Sequence, residues 1–501
     1  MVAGVKVVAD EPAAPAEVVV GETDRGKGGV MGGEPLAAGR STVAPSAAPL
    51  DLTKPHRIHV VGVGGVGMSA LASVLAGMGQ QVSGSDLKAS AEMERLVSLG
   101  VDARLGHDPA HLDGVDVVTI SSAIPARNIE VLEARRRGIP VLARAEVLAA
   151  IAATRSSIAV AGTHGKTTTS SMLALVLVEA GMRPSFIIGG DINEVGSGAA
   201  WGAGEWLVVE ADESDGTFLA LRPELALVTN VEPDHLDVWG GRAEMEAAFG
   251  RFLRTAASAL VCADDPVAAT FGREVGATNY GMSESADYRM VNVTTARSSS
   301  RFSVIHRGES LGEFRLVVPG RHNALNACGA LVGGLLVGAP VDAARRALAR
   351  YGGVARRFEF RGEGGGVTFV DDYAHLPSEA RAALSAAHDG GWDRVVAVFQ
   401  PHRYSRTASL WADFADAFGD ADILVVTDVY GAGEAPRPGV SGRLVLDAVL
   451  AAHPGTDGRY LPSHHELVDY LRATLRPGDL CLTLGAGDLT LLPDEFLADP
   501  D

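Results

Sequence analysis

The stretch Ser156-Ser-Ile-Ala-Val-Ala-Gly-Thr-His-Gly-Lys-Thr-Thr-Thr169 decides how the rest of the chain is read. Its apolar start predicts a buried strand, Gly162 a turn, and Lys166 with the threonines the first turn of an apolar helix closed by Gly181. A strand that turns through glycine into a helix leaves backbone N–H groups and the positive end of the helix dipole facing an anion. Gly162, Thr163, His164, Gly165, Lys166, Thr167 and Thr168 are therefore candidate nucleotide-phosphate contacts. Only Thr163 and His164 separate the glycines, where the generic phosphate loop has four residues, and a plain strand-to-helix turn is the alternative.

Upstream, His56-Arg-Ile-His-Val-Val-Gly62 predicts a strand leading into Gly62-Val-Gly-Gly-Val-Gly67 and a helix from Met68 to Gly79. The next strand, Gln81-Val-Ser-Gly-Ser-Asp86, ends in a carboxylate roughly twenty residues on, where a ribose-hydroxyl acceptor is expected. Gly62, Gly64, Gly65, Val66, Gly67 and Asp86 thus read as a Rossmann-like half that holds a nucleotide diphosphate, with NAD as the default ligand. Strand Val115 to Ile120 brings Ser121 and Ser122 to the same edge, as phosphate contacts or as a simple turn. Arg135, Arg136 and Arg137 read as a solvated helix end favoured by the dipole.

Downstream, strand Trp206 to Glu210 runs into Ala211-Asp-Glu-Ser-Asp215, and strand Leu225 to Asn230 into Val231-Glu-Pro-Asp-His-Leu-Asp237. In a parallel sheet both loops arrive at the carboxyl edge beside Lys166, which makes the constellation a metal-nucleotide site. Thr167 and Glu210 as oxygen ligands, with His235 nearby, suit a magnesium ion that keeps several waters. The alternating segment Tyr280 to Val318 predicts a small antiparallel strand set covering one side. Asn323 and Asn326 lie one helical turn apart, facing a base edge, unless Asn323 is an N-cap. From about Ala355 a third α/β unit delivers Tyr373-Ala-His-Leu-Pro377, Pro401-His-Arg-Tyr-Ser-Arg406 and two glycine loops to one edge. Arg403 and Arg406 can both reach one carboxylate or phosphate, or pair with Asp413 and Asp416.

At 501 residues the chain has room for about three domains, each with its own core. A formal net charge of -19 excludes nucleic acid as partner, because a phosphate-backbone binder needs a basic face. Cys262, Cys328 and Cys481 lack metal-ligand spacing and read as reduced core residues. No signal peptide is recognisable, and Cys328 to Val341 falls short of the roughly 20 apolar residues of a membrane span, so a cytoplasmic protein without membrane contact is expected. Residues 1 to 50, rich in Ala, Gly, Pro and Val, are expected to be a disordered tail.

These motifs in this order resemble the Mur ligases, ATP-dependent amide-forming enzymes of peptidoglycan precursor synthesis, over roughly residues 56 to 490. The residues that carry the resemblance are Gly62-Val-Gly-Gly-Val-Gly-Met-Ser69, Gly162-Thr-His-Gly-Lys-Thr-Thr168, Glu210-Ala-Asp-Glu-Ser-Asp215, Asn230-Val-Glu-Pro-Asp-His-Leu-Asp237, Gly320-Arg-His-Asn323, Asp371-Asp-Tyr-Ala-His375 and Gln400-Pro-His-Arg-Tyr-Ser-Arg406. The resemblance implies an α/β fold of three domains: a Rossmann-like UDP-sugar-binding domain at 51–154, a central P-loop-type ATPase domain with a parallel sheet at 155–354, and a Rossmann-like, amino-acid-binding C-terminal domain at 355–501. It implies that the first glycine loop holds UDP and not NAD. Within the family the glycine loop resembles that of the member that joins L-alanine to UDP-N-acetylmuramate with ATP and magnesium; the alternative is the relative that attaches a preformed tripeptide to the same sugar nucleotide. By position, Lys166 meets the ATP phosphates, Thr167 and Glu210 one magnesium ion, and His235 with Glu210 a second metal. Asn323 and Asn326 meet adenine and Arg357 the phosphates or ribose. Tyr373, His375, Arg403 and Arg406 surround the incoming L-alanine. Relatives commonly read His-His-Pro where this chain has His375-Leu376-Pro377; Leu376, extended before proline, should pack against its own domain.

Overall fold

The computed structural model describes residues 50–214 and 216–498, without the side chain of Asp237. The tail of residues 1 to 50, expected to be disordered, lies outside the described residues except for Leu50, as does Asp215 of the acidic loop.

Three sheets organise the chain. The first has five parallel strands in the order Asp102–Leu105, Gln81–Asp86, Arg57–Val61, Val117–Ile120, Val141–Ala143. The order reverses at Arg57–Val61, and a doubly wound sheet opens its binding crevice beyond the carboxyl end of such a strand. There stands Gly62 with φ +79, where a side chain would meet Ile124 at 2.9 Å.

The second sheet has ten strands. Ser185–Ile192, Trp206–Glu210, Ser156–Ala161, Leu225–Val228, Ser258–Cys262, Thr278–Gly281 and Tyr288–Ala296 run parallel. Antiparallel strands finish both edges: Ser197–Ala200 on one side, Ser299–His306 and Glu309–Leu316 on the other. The predicted antiparallel set therefore forms, but as an extension of this sheet and not as a cover, because Tyr288 pairs in parallel with Tyr280 and adds the hairpin to the edge. Helix Lys166–Glu179 is buried along nearly its whole length. Small hydroxyl residues at its start and Met, Leu and Val afterwards let the sheet pack on one flank and helix Arg321–Leu336 on the other.

The third sheet has six strands in the order Glu359–Gly364, Val367–Asp372, Asp479–Leu484, Arg394–Phe399, Ile423–Val426, Gly458–Tyr460. All neighbours are parallel except the first pair. The cores divide unevenly. One apolar cluster runs unbroken from Ile58 and Leu75 of the first unit to Val209 and Phe218 of the second. The third unit closes its clusters on itself, around Phe399 and Leu482 on one face and Val398 and Cys481 on the other. All three cysteines are free and buried, as expected. Leu376 is 3% exposed and packs in the core of the third unit, also as expected. Arg136 and Arg137 pair with Glu133 at an exposed helix end, in line with the solvated reading.

Candidate active site

A cavity of about 760 Å³ opens where the carboxyl edges of the sheets meet. The phosphate loop forms one wall. Helix Lys166–Glu179 starts at Gly165 with φ +77 and no side-chain cap, so its first N–H groups stay available to an anion. A side chain at Gly165 would collide with the amide of Asn326. The end of strand Leu225–Val228 shapes the loop: Asn230 Oδ1 accepts from the His164 N–H at 2.8 Å, its amide donates to the His164 carbonyl at 3.0 Å, and the Thr229 hydroxyl donates there at 2.6 Å.

Lys166 Nζ donates to the Gly162 carbonyl at 2.7 Å and sits 2.8 Å from the buried Glu213 carboxylate. Burial alone would lower its pKa, but Glu213 and Asp212 more than offset this and raise it, so the ammonium is kept. The Thr167 hydroxyl donates to Glu210 Oε1 at 2.9 Å, and the Gly189 N–H to Glu210 Oε2 at 2.6 Å. Both residues line the cavity together with Asp212, Asp234 and His235. Thr167, Glu210 and Asp212 offer the hard oxygen donors that a magnesium ion takes, with Asp234, gripped by Arg406, and the imidazole of His235 beside them. His235, at φ 50, turns its Nε2 to Asp234 at 3.2 Å. Among the described residues the one group of three His, Cys, Asp or Glu donor atoms within 4.8 Å of one another lies elsewhere, at His59, His111 and Glu130.

The third unit supplies the opposite wall. Arg406 does not pair with Asp413 or Asp416; it crosses to the middle sheet and grips Asp234 through Nη2 at 3.1 and 3.2 Å. Burial would raise the Asp234 pKa, but His235 and Arg406 outweigh it and keep the group ionised. Asp234 was missed as a site residue because its partner is far away in sequence. Arg403, at φ 67, has a buried Nε without a partner. His375 Nδ1 lies 2.9 Å from the Tyr373 carbonyl, which can only accept, so the proton sits on Nδ1 and the Nε2 lone pair is free. Burial holds its pKa down at about 4, with Arg406 adding to the shift. His402, also missed, stands 5.5 Å from His375 and takes a hydrogen bond from Arg406 at 2.8 Å.

A second cavity of about 210 Å³ adjoins the phosphate loop and contains Asn323, Asn326, Arg357, Tyr280 and His322. Asn323 is not an N-cap: Gly320 holds that position, and the Asn323 amide donates back to the Pro319 carbonyl at 2.7 Å. Of the residues expected to hold a UDP-sugar, only Val66 borders the large cavity. Asp86 braces the glycine loop, accepting the Gly64 N–H at 3.0 Å, and Ser121 begins a turn closed by the Ile124 N–H at 3.1 Å.

The profile of the Mur ligase family, catalytic domain, matches residues 57–156; that of the Mur ligase middle domain matches 160–333; and that of the Mur ligase, glutamate ligase domain, matches 356–487. The UDP-N-acetylmuramate–L-alanine ligase of Anaeromyxobacter sp. (strain Fw109-5) is 46% identical over 450 residues, covering 89% of this chain and 98% of that protein. The protein of the same name from Kineococcus radiotolerans is 47% identical over 466 residues, covering 90% and 98%. The crystal structure of UDP-N-acetylmuramate-alanine ligase from Thermotoga maritima superposes with a TM-score of 0.74 at 28% identity, covering 88% of this chain and 98% of that one.

Proposed function

Because this chain belongs to the Mur ligase family, we infer that it is the ATP-dependent ligase that joins L-alanine to the lactyl carboxylate of UDP-N-acetylmuramate in peptidoglycan precursor synthesis. The observation that carries this is the large cavity, which places a phosphate loop with Lys166 opposite His375, Arg403 and Arg406, in a chain nearly half identical along its length to proteins of that name. The division of labour follows the domain boundaries 51–154, 155–354 and 355–501, with UDP-sugar, ATP and alanine in that order.

A carboxylate does not react with an amine in water, so the lactyl carboxylate first attacks the γ-phosphorus of ATP, displacing ADP and forming an acyl phosphate. The amine of L-alanine then attacks the carbonyl carbon, loses a proton, and inorganic phosphate leaves. Catalysis of the first step is positioning and charge neutralisation. Lys166 turns from Glu213 to the β- and γ-phosphates, and the uncapped N-terminus of its helix receives them. Thr167 and Glu210 would hold magnesium, with His235 and Glu210 at a second metal, and a bound ion would supply charge neutralisation for the transferring phosphoryl group. The free lone pair of the neutral His375 Nε2 accepts a hydrogen bond from the alanine amine and orients it for attack. Arg403, whose Nε is unpartnered, and Arg406 hold the alanine carboxylate, and Tyr373 lies against it. Asn323 and Asn326 face adenine, with Arg357 at the phosphates or ribose. Gly62, Gly64, Gly65, Val66, Gly67, Asp86, Ser121 and Ser122 hold UDP. No helix of the described residues is long and apolar enough to cross a membrane, which is compatible with work in the cytoplasm where ATP is available.

The test is phosphate release with ATP, magnesium and UDP-N-acetylmuramate, with each amino acid in turn and with the preformed tripeptide. L-alanine should stimulate release most. Stimulation by the tripeptide alone would replace this reading with that of the tripeptide ligase. Lys166→Ala should stop turnover with the fold intact, and residual activity within about tenfold of the parent, ~1.4 kcal/mol of barrier, would contradict the role of the lysine.

A further inference from the structure

Glu379 opens helix Pro377–Asp389, where acidic residues are ordinary. Its surroundings are not ordinary. Oε2 accepts the backbone N–H of His375 at 2.9 Å and of Leu376 at 3.1 Å, so one oxygen fixes the loop that carries His375. Oε1 lies 3.1 Å from Nδ1 of His164, in the middle of the phosphate loop of a different unit. Its other neighbours are the Arg357 guanidinium at 3.9 Å, the neutral His375 through Nδ1 at 3.4 Å, and the Asp372 carboxyl. On its far side His164 Nε2 meets Glu232 at 3.2 Å, and the hydroxyl of Ser378, the residue before Glu379, donates to the same Glu232 at 2.6 Å. His164, 16% exposed in its side chain, is thus clamped between carboxylates of two units. Burial would discharge it, but Glu232 and Glu379 hold it as a cation, with a pKa raised to about 9.

We propose that Glu379 is a positioning residue that couples the nucleotide site to the amino-acid site: with one oxygen on the phosphate loop and the other on the loop of His375, it makes the alanine site form best when the phosphate loop is filled. The proposal rests on the ligase reading above and adds the means by which its two halves communicate. The geometry is specific to coupling. A helix cap needs only Oε2, and the phosphate loop is already shaped by Asn230 and Thr229. The contact between Oε1 and His164 serves neither purpose; it links them. Since the third unit keeps its apolar clusters to itself, polar contacts of this kind carry the information across. Any ligand that moves His164 moves the partner of the carboxylate on which the His375 N–H hangs, and by linkage the effect is reciprocal.

The experiment measures L-alanine affinity by calorimetry on the full chain saturated with UDP-N-acetylmuramate, with and without a non-hydrolysable ATP analogue. In the parent the analogue should tighten L-alanine binding by roughly fivefold or more. In Glu379→Gln, which keeps an acceptor for the cap, and in His164→Gln, which leaves the cap untouched, that ratio should fall towards one. The double variant should be no worse than either single one, and Glu379→Asp should recover part of the ratio. A parent-like ratio in His164→Gln, or no tightening in the parent, overturns the proposal. A chain that releases no phosphate with L-alanine at all overturns the ligase reading itself, and this is seen in the parent before any variant is made.

Discussion

Two glutamates in this molecule, one fully buried and one 11% exposed, are surrounded by histidines, and they do opposite work. Glu130, fully buried, accepts from the Ser85 hydroxyl at 2.6 Å and the Asp108 N–H at 3.2 Å, with His107 and His111 each at 2.8 Å and His59 Nε2 at 3.5 Å. All of these groups belong to the first sheet and its connections. Glu379 has similar chemistry, but its partners lie in two units. A carboxylate whose donors share a domain reports on whether that domain is folded; one whose donors are split reports on whether two domains are together.

Removing each carboxylate should separate these roles. Glu130→Ala leaves buried imidazoles and a hydroxyl without their acceptor, and breaking a buried charge cluster from one side costs about 3–5 kcal/mol. Chemical denaturation should show that loss in the unfolding of the joined first and second units, while the ratio by which a nucleotide analogue tightens L-alanine stays at its parent value. Glu379→Ala should cost only ~1 kcal/mol, the worth of a lost helix cap, yet change that ratio. If the stability losses come out reversed, the comparison fails.

Acid and base should pull the two clusters apart as well. Burial would raise the Glu130 pKa, but His59, Ser85 and His111 outweigh it and hold it at about 2, against 4.5 for a free glutamate. A depressed carboxylate stabilises fully above its unfolded value, so this contribution is intact above pH 4.5 and drains away as pH falls towards 2. His164 has the opposite sign: its raised pKa means that the clamp is complete below 6.5 and is lost as pH rises to about 9. The KM for L-alanine should therefore climb between these pH values in the parent and be flatter in His164→Gln. A flat parent profile would show that the clamp is not made by a charged histidine. The smallest effect belongs to Leu376→His. Leu376 packs in the third unit's core and its N–H already serves Glu379, so steady-state kinetics should show little change in alanine use, whereas His375→Ala should weaken it clearly.

The comparison also explains what was legible in the sequence. Sheets and helices were, because apolar runs ending in glycine or acidic turns repeat through the chain, and the phosphate loop announced its own chemistry. Contacts between distant segments were not. Arg406 offered only Asp413 and Asp416 as acidic partners nearby in the chain, and nothing local pointed to Asp234 across the cleft. Glu379 was readable only as a cap: Pro377 at the first helical position with a glutamate two residues on is such a signal, and it identifies the Oε2 half of the role alone. The Glu130 cluster had one clue, a histidine at an interior position of the apolar strand Arg57–Val61, but its partners at 107, 111 and 130 come together only when that sheet is wound.

The uneven division of the cores has a thermal consequence. Parting the first unit from the second would bare the apolar cluster that joins them, and hydrating such surface brings a large positive heat-capacity change. Parting the third unit bares charges that water welcomes, at Asp234, Arg406, His164 and Glu379, and among the described residues no buried apolar cluster runs across that joint. Opening at the first joint should therefore depend steeply on temperature and scarcely on salt, and opening at the second on salt and scarcely on temperature. Opening along the second seam to admit alanine and release product would thus carry a working cost that stays level as the cell warms and cools.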